Sequence, residues 1–354
     1  MPQSRLISID QPTAWDRAVV RCGRHDTYHL AGYHRLAEQS GEGEPYLLFF
    51  EDAGRMAALP FLRRPVANVP GLECRPDADA TSVYGYPGVV TAVRPSDAAA
   101  EKFRWRFQAA LGEVLTRLGA VVFFTRQNPL IDTSWMLQPM AQLTTAGPTA
   151  AIDLRLSEEE QLRQFRTNHR RDIHRARREG IVVREDPSFE QIGQFTRLYR
   201  ETMDRVGARD YYYFPDEYFA RLKENLPQAA RLVFSEQDGQ IISGALFLVT
   251  DRIIQYHLGG TATEHQNRRG AIKLIFNHMR AWGTRNGMSW LHLGGGLGAR
   301  EDSLFRFKAG FSDTRFQFQT ASLVLNQAVY QGLIGSRQQW TRRHGQDLSE
   351  EECF

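Results

Sequence analysis

The sequence predicts an α+β fold, a mixed α/β arrangement of two tandem domains of similar design. Each is expected to be a mixed, mostly antiparallel sheet with helices packed on it. Three observations carry this. The chain has 354 residues, more than the roughly 250–300 over which a single core usually grows. Apolar residues recur at helical spacing in some segments and in short unbroken runs in others. The order of elements also occurs twice: helices, antiparallel strands, one long helix and a final strand.

In the first half, helices are expected at Ala14–Cys22 and near Tyr28–Gln39. Strands at Tyr46–Glu51 and Met56–Arg63 follow, joined by the turn Asp52-Ala53-Gly54. A helix from about Ala98 to Leu118 puts Phe103, Phe107, Leu111, Leu115 and Leu118 on one face, and the run Ala120 to Thr125 reads as a buried strand. In the second half, helices are expected near Glu159–Glu179 and Ser188–Val206. The latter opens with Ser188 and Gln191 as a capping box and stops at Gly207. A third helix starts at Pro215. Strands Arg231–Ser235 and Ile241–Thr250 meet at the hairpin signal Asp238-Gly239, and Ile253–Leu258 follows. Helix Gly270–Trp282 carries Ala271, Ile275, Met279 and Trp282 on one face, and Asn286-Gly287 turns into strand Ser289–Leu293. The small and turn-forming residues at 144–150 place the boundary near Gly147, giving domains 1–147 and 148–338 and a polar, frayed tail at 339–354.

A composition of 42% hydrophobic and 24% charged residues excludes intrinsic disorder and a collagen-like fibre. Apolar runs such as Ala120 to Phe124 and Ala245 to Val249 fall short of the ~20 residues a membrane span needs. The start Met1-Pro2-Gln3-Ser4-Arg5 lacks a signal-peptide pattern, so a soluble cytoplasmic protein is expected. Three cysteines, Cys22, Cys74 and Cys353, build no disulfide framework. His25 near Cys22 has no second ligand pair, so no metal site is expected. A net charge of +3 is too mild to announce a nucleic-acid binder. What matters is where the charge lies.

Four stretches could carry chemistry. Residues 163–178 hold seven Arg and two His against one acid, Asp172. At helical spacing Arg163, Arg166, Arg170, His174 and Arg177 share a face. Solvated faces usually mix signs, because like charges four apart repel by ~0.2–0.5 kcal/mol; a single-sign face points to a polyanion. The second stretch, Arg209-Asp210-Tyr211-Tyr212-Tyr213-Phe214-Pro215, crowds aromatics into a loop, as pocket linings do. The third is Tyr256-His257-Leu258-Gly259-Gly260, followed by Gln266-Asn267-Arg268-Arg269-Gly270-Ala271 opening a helix, a strand-loop-helix arrangement suited to an anion. In the fourth, Leu291-His292-Leu293 leads to Gly294-Gly295-Gly296 and on to Asp302–Phe311. There Lys308 sits between Phe307 and Phe311. A lysine in apolar company is desolvated, and a forming oxyanion would be its natural partner.

Together these stretches resemble the FemAB/FemX family of aminoacyl-tRNA-dependent peptidyltransferases, built from two GNAT-like domains. The resemblance rests on Asn168-His169-Arg170-Arg171-Asp172-Ile173-His174-Arg175-Ala176-Arg177 with Gly180, on Tyr256–Thr261, on Gly294–Gly296 and on Phe305–Phe311. In the first half it rests on Tyr84-Gly85-Tyr86-Pro87-Gly88. It implies two GNAT-like domains and an amide-forming aminoacyltransferase. Phe307-Lys308 is similar to the family's Phe-Lys pair, whose lysine stabilises developing negative charge. Tyr256 is similar to a tyrosine contacting the acceptor, and Arg209 with Tyr211 and Tyr212 lies near an acceptor-contacting segment. Arg166, Arg170 and His174 would bind the donor's acceptor stem or an anionic acceptor. Two features set the chain apart: it lacks a long heptad insertion, and the loop before Gly270 has Asn267 and Ile272 where a CoA-binding phosphate loop has Arg or Gln and Gly or Ala.

The expected donor is therefore aminoacyl-tRNA, with no cofactor. The expected acceptor is an amine of a peptide, a peptidoglycan precursor or a natural-product intermediate, with or without an attached nucleotide. DNA is not an expected partner. An acyl-CoA-dependent GNAT N-acyltransferase and a non-catalytic binding protein on a GNAT shell are the alternatives.

Overall fold

The computed structural model describes residues 2–265 and 270–345, the Tyr211 side chain aside. The chain divides into two compact units, Met1–Thr145 together with Gln319–Phe354, and Ala146–Phe318.

The first unit contains β1 (Gln3–Ser8), α1 (Pro12–Cys22), α2 (Ala31–Gln39), β2 (Glu44–Asp52), β3 (Arg55–Pro65), β4 (Ala78–Thr81), β5 (Val90–Thr91), α3 (Ala100–Arg117) and β6 (Ala120–Arg126). The second opens within β7 (Gln142–Asp153) and continues through α4 (Glu158–Gln164), α5 (Thr167–Arg178), β8 (Val182–Glu185), α6 (Ile192–Val206) and α7 (Asp216–Asn225). It then holds β9 (Ala230–Gln237), β10 (Gln240–Thr250), β11 (Ile253–Thr261), α8 (Gly270–Arg285), β12 (Trp290–Gly294) and α9 (Ser303–Lys308). Strand β13 (Arg315–Val324) leads back into the first unit, followed by α10 (Gln327–Arg343).

Each unit has the same strand plan. In the first, the antiparallel run β1-β2-β3-β4 meets β6 in parallel, and β6 pairs antiparallel with β13. In the second, the antiparallel run β8-β9-β10-β11 meets β12 in parallel, and β12 pairs antiparallel with β7. The parallel step needs a crossover, and α3 and α8 supply it. Their apolar faces explain why they settle on the sheet: Phe103, Phe107, Leu111 and Leu115 pack with Phe50, Leu59 and Phe123 in one core, and Ala271, Ile275 and Met279 with Phe247 and Leu291 in the other. Each buried Phe or Ile contributes about 1.5–3 kcal/mol.

The expected domain limits need correction. Gly147 is not in a linker but in β7. A Cβ there would lie 1.9 Å from the Ala299 carbonyl, so smallness serves a close approach within the second unit rather than a turn. The second unit ends at Phe318, not residue 338, because Thr320–Val324 of β13 pair with Val122–Arg126 of β6. Leu333 of α10 also packs on Val66, Leu72 and Val121. The expected tail at 339–354 therefore begins inside a helix, and its last nine residues, Cys353 among them, lie outside the described residues.

The expected helix Glu159–Glu179 is broken. Phe165 and Arg166 are extended (ψ 130° and 144°) between α4 and α5. The break lets Phe165 bury against Phe311 and the Arg166 N–H donate to the Gly310 carbonyl at 2.9 Å. Helix α6 starts at Ile192 rather than Ser188, since Asp186 accepts the Glu190 and Gln191 N–H groups, but it ends as expected at Gly207 (φ 57°).

Helix α6 lies so close to β11 that a Cβ on Gly260 would sit 2.3 Å from the Leu198 carbonyl oxygen. Neither backbone can yield cheaply, so Gly260→Ala should cost about 1–3 kcal/mol. A urea midpoint equal to wild type would contradict this contact.

Candidate active site

The site starts where a sheet stops pairing. Strands β11 and β12 pair in parallel only at Ile253–Trp290, Ile254–Leu291 and Gln255–His292. The last rung is reinforced by His292 Nδ1–H donating to Gln255 Oε1 at 2.6 Å. Beyond it β11 runs on to Thr261, whereas β12 ends at Gly294, which takes a left-handed φ of 78°. The strands diverge, and their carboxyl ends leave a wedge, the usual place for a ligand in a sheet with a parallel pair.

Lys308, the last residue of α9, fills that wedge. It is 8% exposed. Its Nζ donates to the Gly295 carbonyl at 2.8 Å and stands 5.6 Å from the centre of the Tyr256 ring, a cation–π distance. Burial lowers its ammonium pKa to about 8, and the nearby Asp302 charge opposes the fall. Burial raises the Tyr256 hydroxyl above its ordinary range and pushes His292 down to about 3, with Lys308 adding to the latter. Both flanking rings are therefore neutral, and Lys308 is the group in the wedge that titrates near neutrality.

Helix α9 is held from behind by an aromatic cluster. Phe307 packs edge-on to Phe311 (5.5 Å) and near Phe276 (5.9 Å), and the His169 ring lies 4.5 Å from Phe311. His169 Nε2–H donates to the Phe307 carbonyl at 3.0 Å. Only a glycine fits at 310, because a Cβ there would be 2.5 Å from His169 Nε2. Burial lowers the His169 pKa, with the Phe307 carbonyl opposing.

Beside this cluster the second unit has a pocket of about 530 Å³, lined by Arg166, Asn168, His169, Arg205, Thr261, Ile272, Lys273, Ser303, Arg306 and Phe307. Arg166, Arg205 and Arg306 are exposed cations at its rim, and the Arg166 guanidinium donates to the Arg306 carbonyl at 3.2 Å. Lys273 differs: it pairs with Asp172 at 2.6 Å, with side chains 7% and 18% exposed. This pair and the close approach of Gly270 to the Asp172 carbonyl fasten α5 to the first turn of α8.

Of the residues singled out in sequence, Lys308, Phe307 and Tyr256 come together in and behind the wedge, and Arg166 joins Phe307 at the pocket. Arg170 and His174 do not line the pocket. Arg170 turns towards the Leu162 carbonyl, and His174 is exposed farther along α5. The helix break takes Arg163 off their face, and it pairs with Glu159 at 2.5 Å. Arg209 is exposed, Tyr212 is half-buried in the loop after α6 with its carbonyl held by the Tyr199 hydroxyl at 2.7 Å, and the Tyr211 side chain lies outside the described residues. The loop 266–269 also lies outside them. Sequence reasoning missed Arg205, Lys273 and Arg306 as pocket residues. The signal for Lys273 was present: a cation one turn inside a helix whose start is suited to an anion. Among the described residues no three His, Cys, Asp or Glu side chains form a group able to hold a metal, and no helix is long and apolar enough to cross a membrane.

Comparison with known proteins bears on the fold. Residues 163–309 match the family described as "Acetyltransferase (GNAT) domain". The crystal structure of FemX superposes with a TM-score of 0.70 at 15% identity, covering 94% of this chain and 99% of that one. The C-terminal domain of a putative lysylphosphatidylglycerol synthetase from Agrobacterium fabrum gives a TM-score of 0.56 at 16% identity, covering 90% of this chain and 93% of its own. The L-PGS structure from Bacillus licheniformis gives 0.55 at 14%, covering 92% and 96%. No curated protein matches by sequence. The chain thus carries a GNAT-type domain. Over nearly its whole length its fold is that of FemX.

The two kinds of cation separate by experiment. Lys273→Met strands a partly buried Asp172 and should cost about 3 kcal/mol, whereas Arg306→Gln should change stability by less than about 0.5 kcal/mol. Thermal melts of both variants check this; equal losses would remove the structural role assigned to Lys273.

Proposed function

We propose that this chain is an aminoacyltransferase that moves an amino acid from aminoacyl-tRNA onto an amine, forming an amide. The acceptor amine belongs to a peptide, a peptidoglycan precursor or a natural-product intermediate. One observation carries the reading: the short helix that sets a desolvated lysine in the wedge between diverging strands also lines, through Ser303, Arg306 and Phe307, a cation-rimmed pocket.

The acceptor amine attacks the ester carbonyl of the donor. Negative charge gathers on the carbonyl oxygen and then on the departing ribose oxygen, and the Lys308 ammonium offsets it. Such a donor in a dry site is typically worth ~3–4 kcal/mol in the transition state. The Tyr256 ring beside the buried ammonium keeps water away from the lysine, which strengthens that interaction, and Phe307 holds the helix from behind. The proton lost by the amine passes to the ribose oxygen, through the substrate itself or water. Arg166, Arg205 and Arg306 meet the donor's phosphodiester groups. The degenerate loop before Gly270 and the fastening of α5 across the first turn of α8 favour a charged tRNA over acyl-CoA.

Single-turnover transfer from charged tRNA and from acyl-CoA, run side by side, separates the donors. With tRNA, Lys308→Ala should lower the rate roughly 10²–10³-fold while leaving binding nearly intact. Transfer from acyl-CoA alone would overturn the donor assignment, and a wild-type rate in folded Lys308→Ala protein would favour a binding protein.

Two further outcomes follow from the charges. The ammonium form of Lys308 exists below about pH 8, so its contribution should fade as pH rises through that value, and Lys308→Arg should abolish this descending limb. Replacing Arg166 and Arg306 by Gln should flatten the log–log salt dependence of tRNA binding by ~0.7–0.9 for each phosphate no longer neutralised. An unchanged slope would mean that these side chains are merely solvated.

A further inference from the structure

We propose that Asp302 is the positioning residue of this site: its carboxylate ties the glycine loop that holds Lys308 to the helix that carries it. The inference rests on the transfer role given to Lys308 above.

The carboxylate has two distinct jobs. Oδ1 accepts the Phe305 N–H at 2.8 Å and caps α9, while Oδ2 accepts the Leu297 N–H at 3.0 Å across the loop. Lys308 lies at the far end of the capped helix, and its Nζ is bonded to Gly295, two residues before Leu297. One side chain therefore sets both the position of the ammonium and the position of the carbonyl that receives it.

The intervening loop shows what that tie holds down. Gly298 and Ala299 both take left-handed conformations (φ 58° and 60°), which a non-glycine residue keeps only when its surroundings impose them. At Gly296 a Cβ would lie 2.3 Å from Asp302 Oδ1 and 2.1 Å from the Arg300 carbonyl. The third glycine of Gly294-Gly295-Gly296 thus makes room for the carboxylate. A capping residue alone would need none of this, because Ser or Asn caps a helix as well as Asp.

Charge adds a second effect. The titratable groups facing Lys308 are Tyr256 from β11, His292 from β12 and Asp302 at the start of α9. The first two are neutral. Burial pushes Asp302 up, but the N–H groups of Phe305, Leu297 and Leu304 outweigh it and hold the carboxyl below its usual range. It is therefore an anion wherever the ammonium is needed, and it supports the protonated form of Lys308 against desolvation.

Two variants test this. Asp302→Ser keeps a capping oxygen for α9 but loses the charge and the reach to Leu297. Asp302→Asn keeps the shape and one acceptor oxygen, loses the charge, and turns an NH2 donor towards one of the two N–H groups the carboxylate accepts from. The chain has four lysines, Lys102, Lys223, Lys273 and Lys308, so lysine labelled at the ε-carbon gives a readable NMR titration, with Lys308→Ala assigning the signal. In both variants Lys308 should titrate about 1 unit lower than in wild type, with melting temperatures close to wild type. Transfer from charged tRNA should fall about 10–100-fold. A Lys308 titration and a transfer rate unchanged in folded Asp302→Asn protein would overturn the proposal. The titration needs neither donor nor acceptor, so it decides the role of Asp302 even if charged tRNA proves not to be the substrate.

Discussion

Everything of chemical interest in the second unit depends on where β11 and β12 cease to pair. A backbone that stops making ladder bonds must find other partners for its N–H and C=O groups or leave them to a ligand. After the Gln255–His292 rung, the protein supplies a lysine: the Gly295 carbonyl, free of the ladder, receives the Lys308 ammonium. Divergence and cation are complementary. Had the strands stayed paired, there would be no room for Lys308. Without Lys308 the wedge would hold an unsatisfied carbonyl and an aromatic face. Helix α9 is short, so its placement comes from outside, from the Phe307–Phe311 cluster and from the hydrogen bond of His169, which packs in that cluster.

The doubled plan was legible in the sequence because it rests on strong local signals. The face Phe103–Phe107–Leu111–Leu115, the Asp238-Gly239 turn and the stop at Gly207 are each set by a few neighbouring residues. What local reading could not reach was set by distant partners. Gly147 reads as linker chemistry because glycine is what both a turn and a crowded strand require, and only Ala299, far along the chain, tells them apart. The break at Phe165–Arg166 has the same origin. Helical periodicity continues across it, but the Gly310 carbonyl and the Phe311 ring offer a better place for those two residues.

The candidate site shows the same division. Lys308 was recognisable from its apolar neighbours and the glycines before it, and the structure brings those features together. The arginine face rests on charge alone, and charge has no direction. Of its members Arg166 reaches the pocket, because the break turns it towards Arg306. Arg205 and Arg306 escape notice because a single arginine at a helix end is commonplace, and their convergence is a property of the fold. The composition of a pocket drawn from α5, α6, α8, α9 and β11 cannot be assembled from spacing.

The return of β13 to the first unit bears on biosynthesis. Strand β6 finds its outer neighbour at Thr320–Val324, so the whole of Ala146–Phe318 must leave the ribosome first. At ~5–20 residues per second, that is a wait of roughly 10–35 s. During it Val122, Phe123 and Phe124 sit on an open sheet edge, a template for another chain's strand. The second unit has no such wait for its outer strand, since β7 is made before β12. Vectorial synthesis thus exposes the two halves of this repeated design to different hazards. The nascent first half is where a chaperone would be expected to engage.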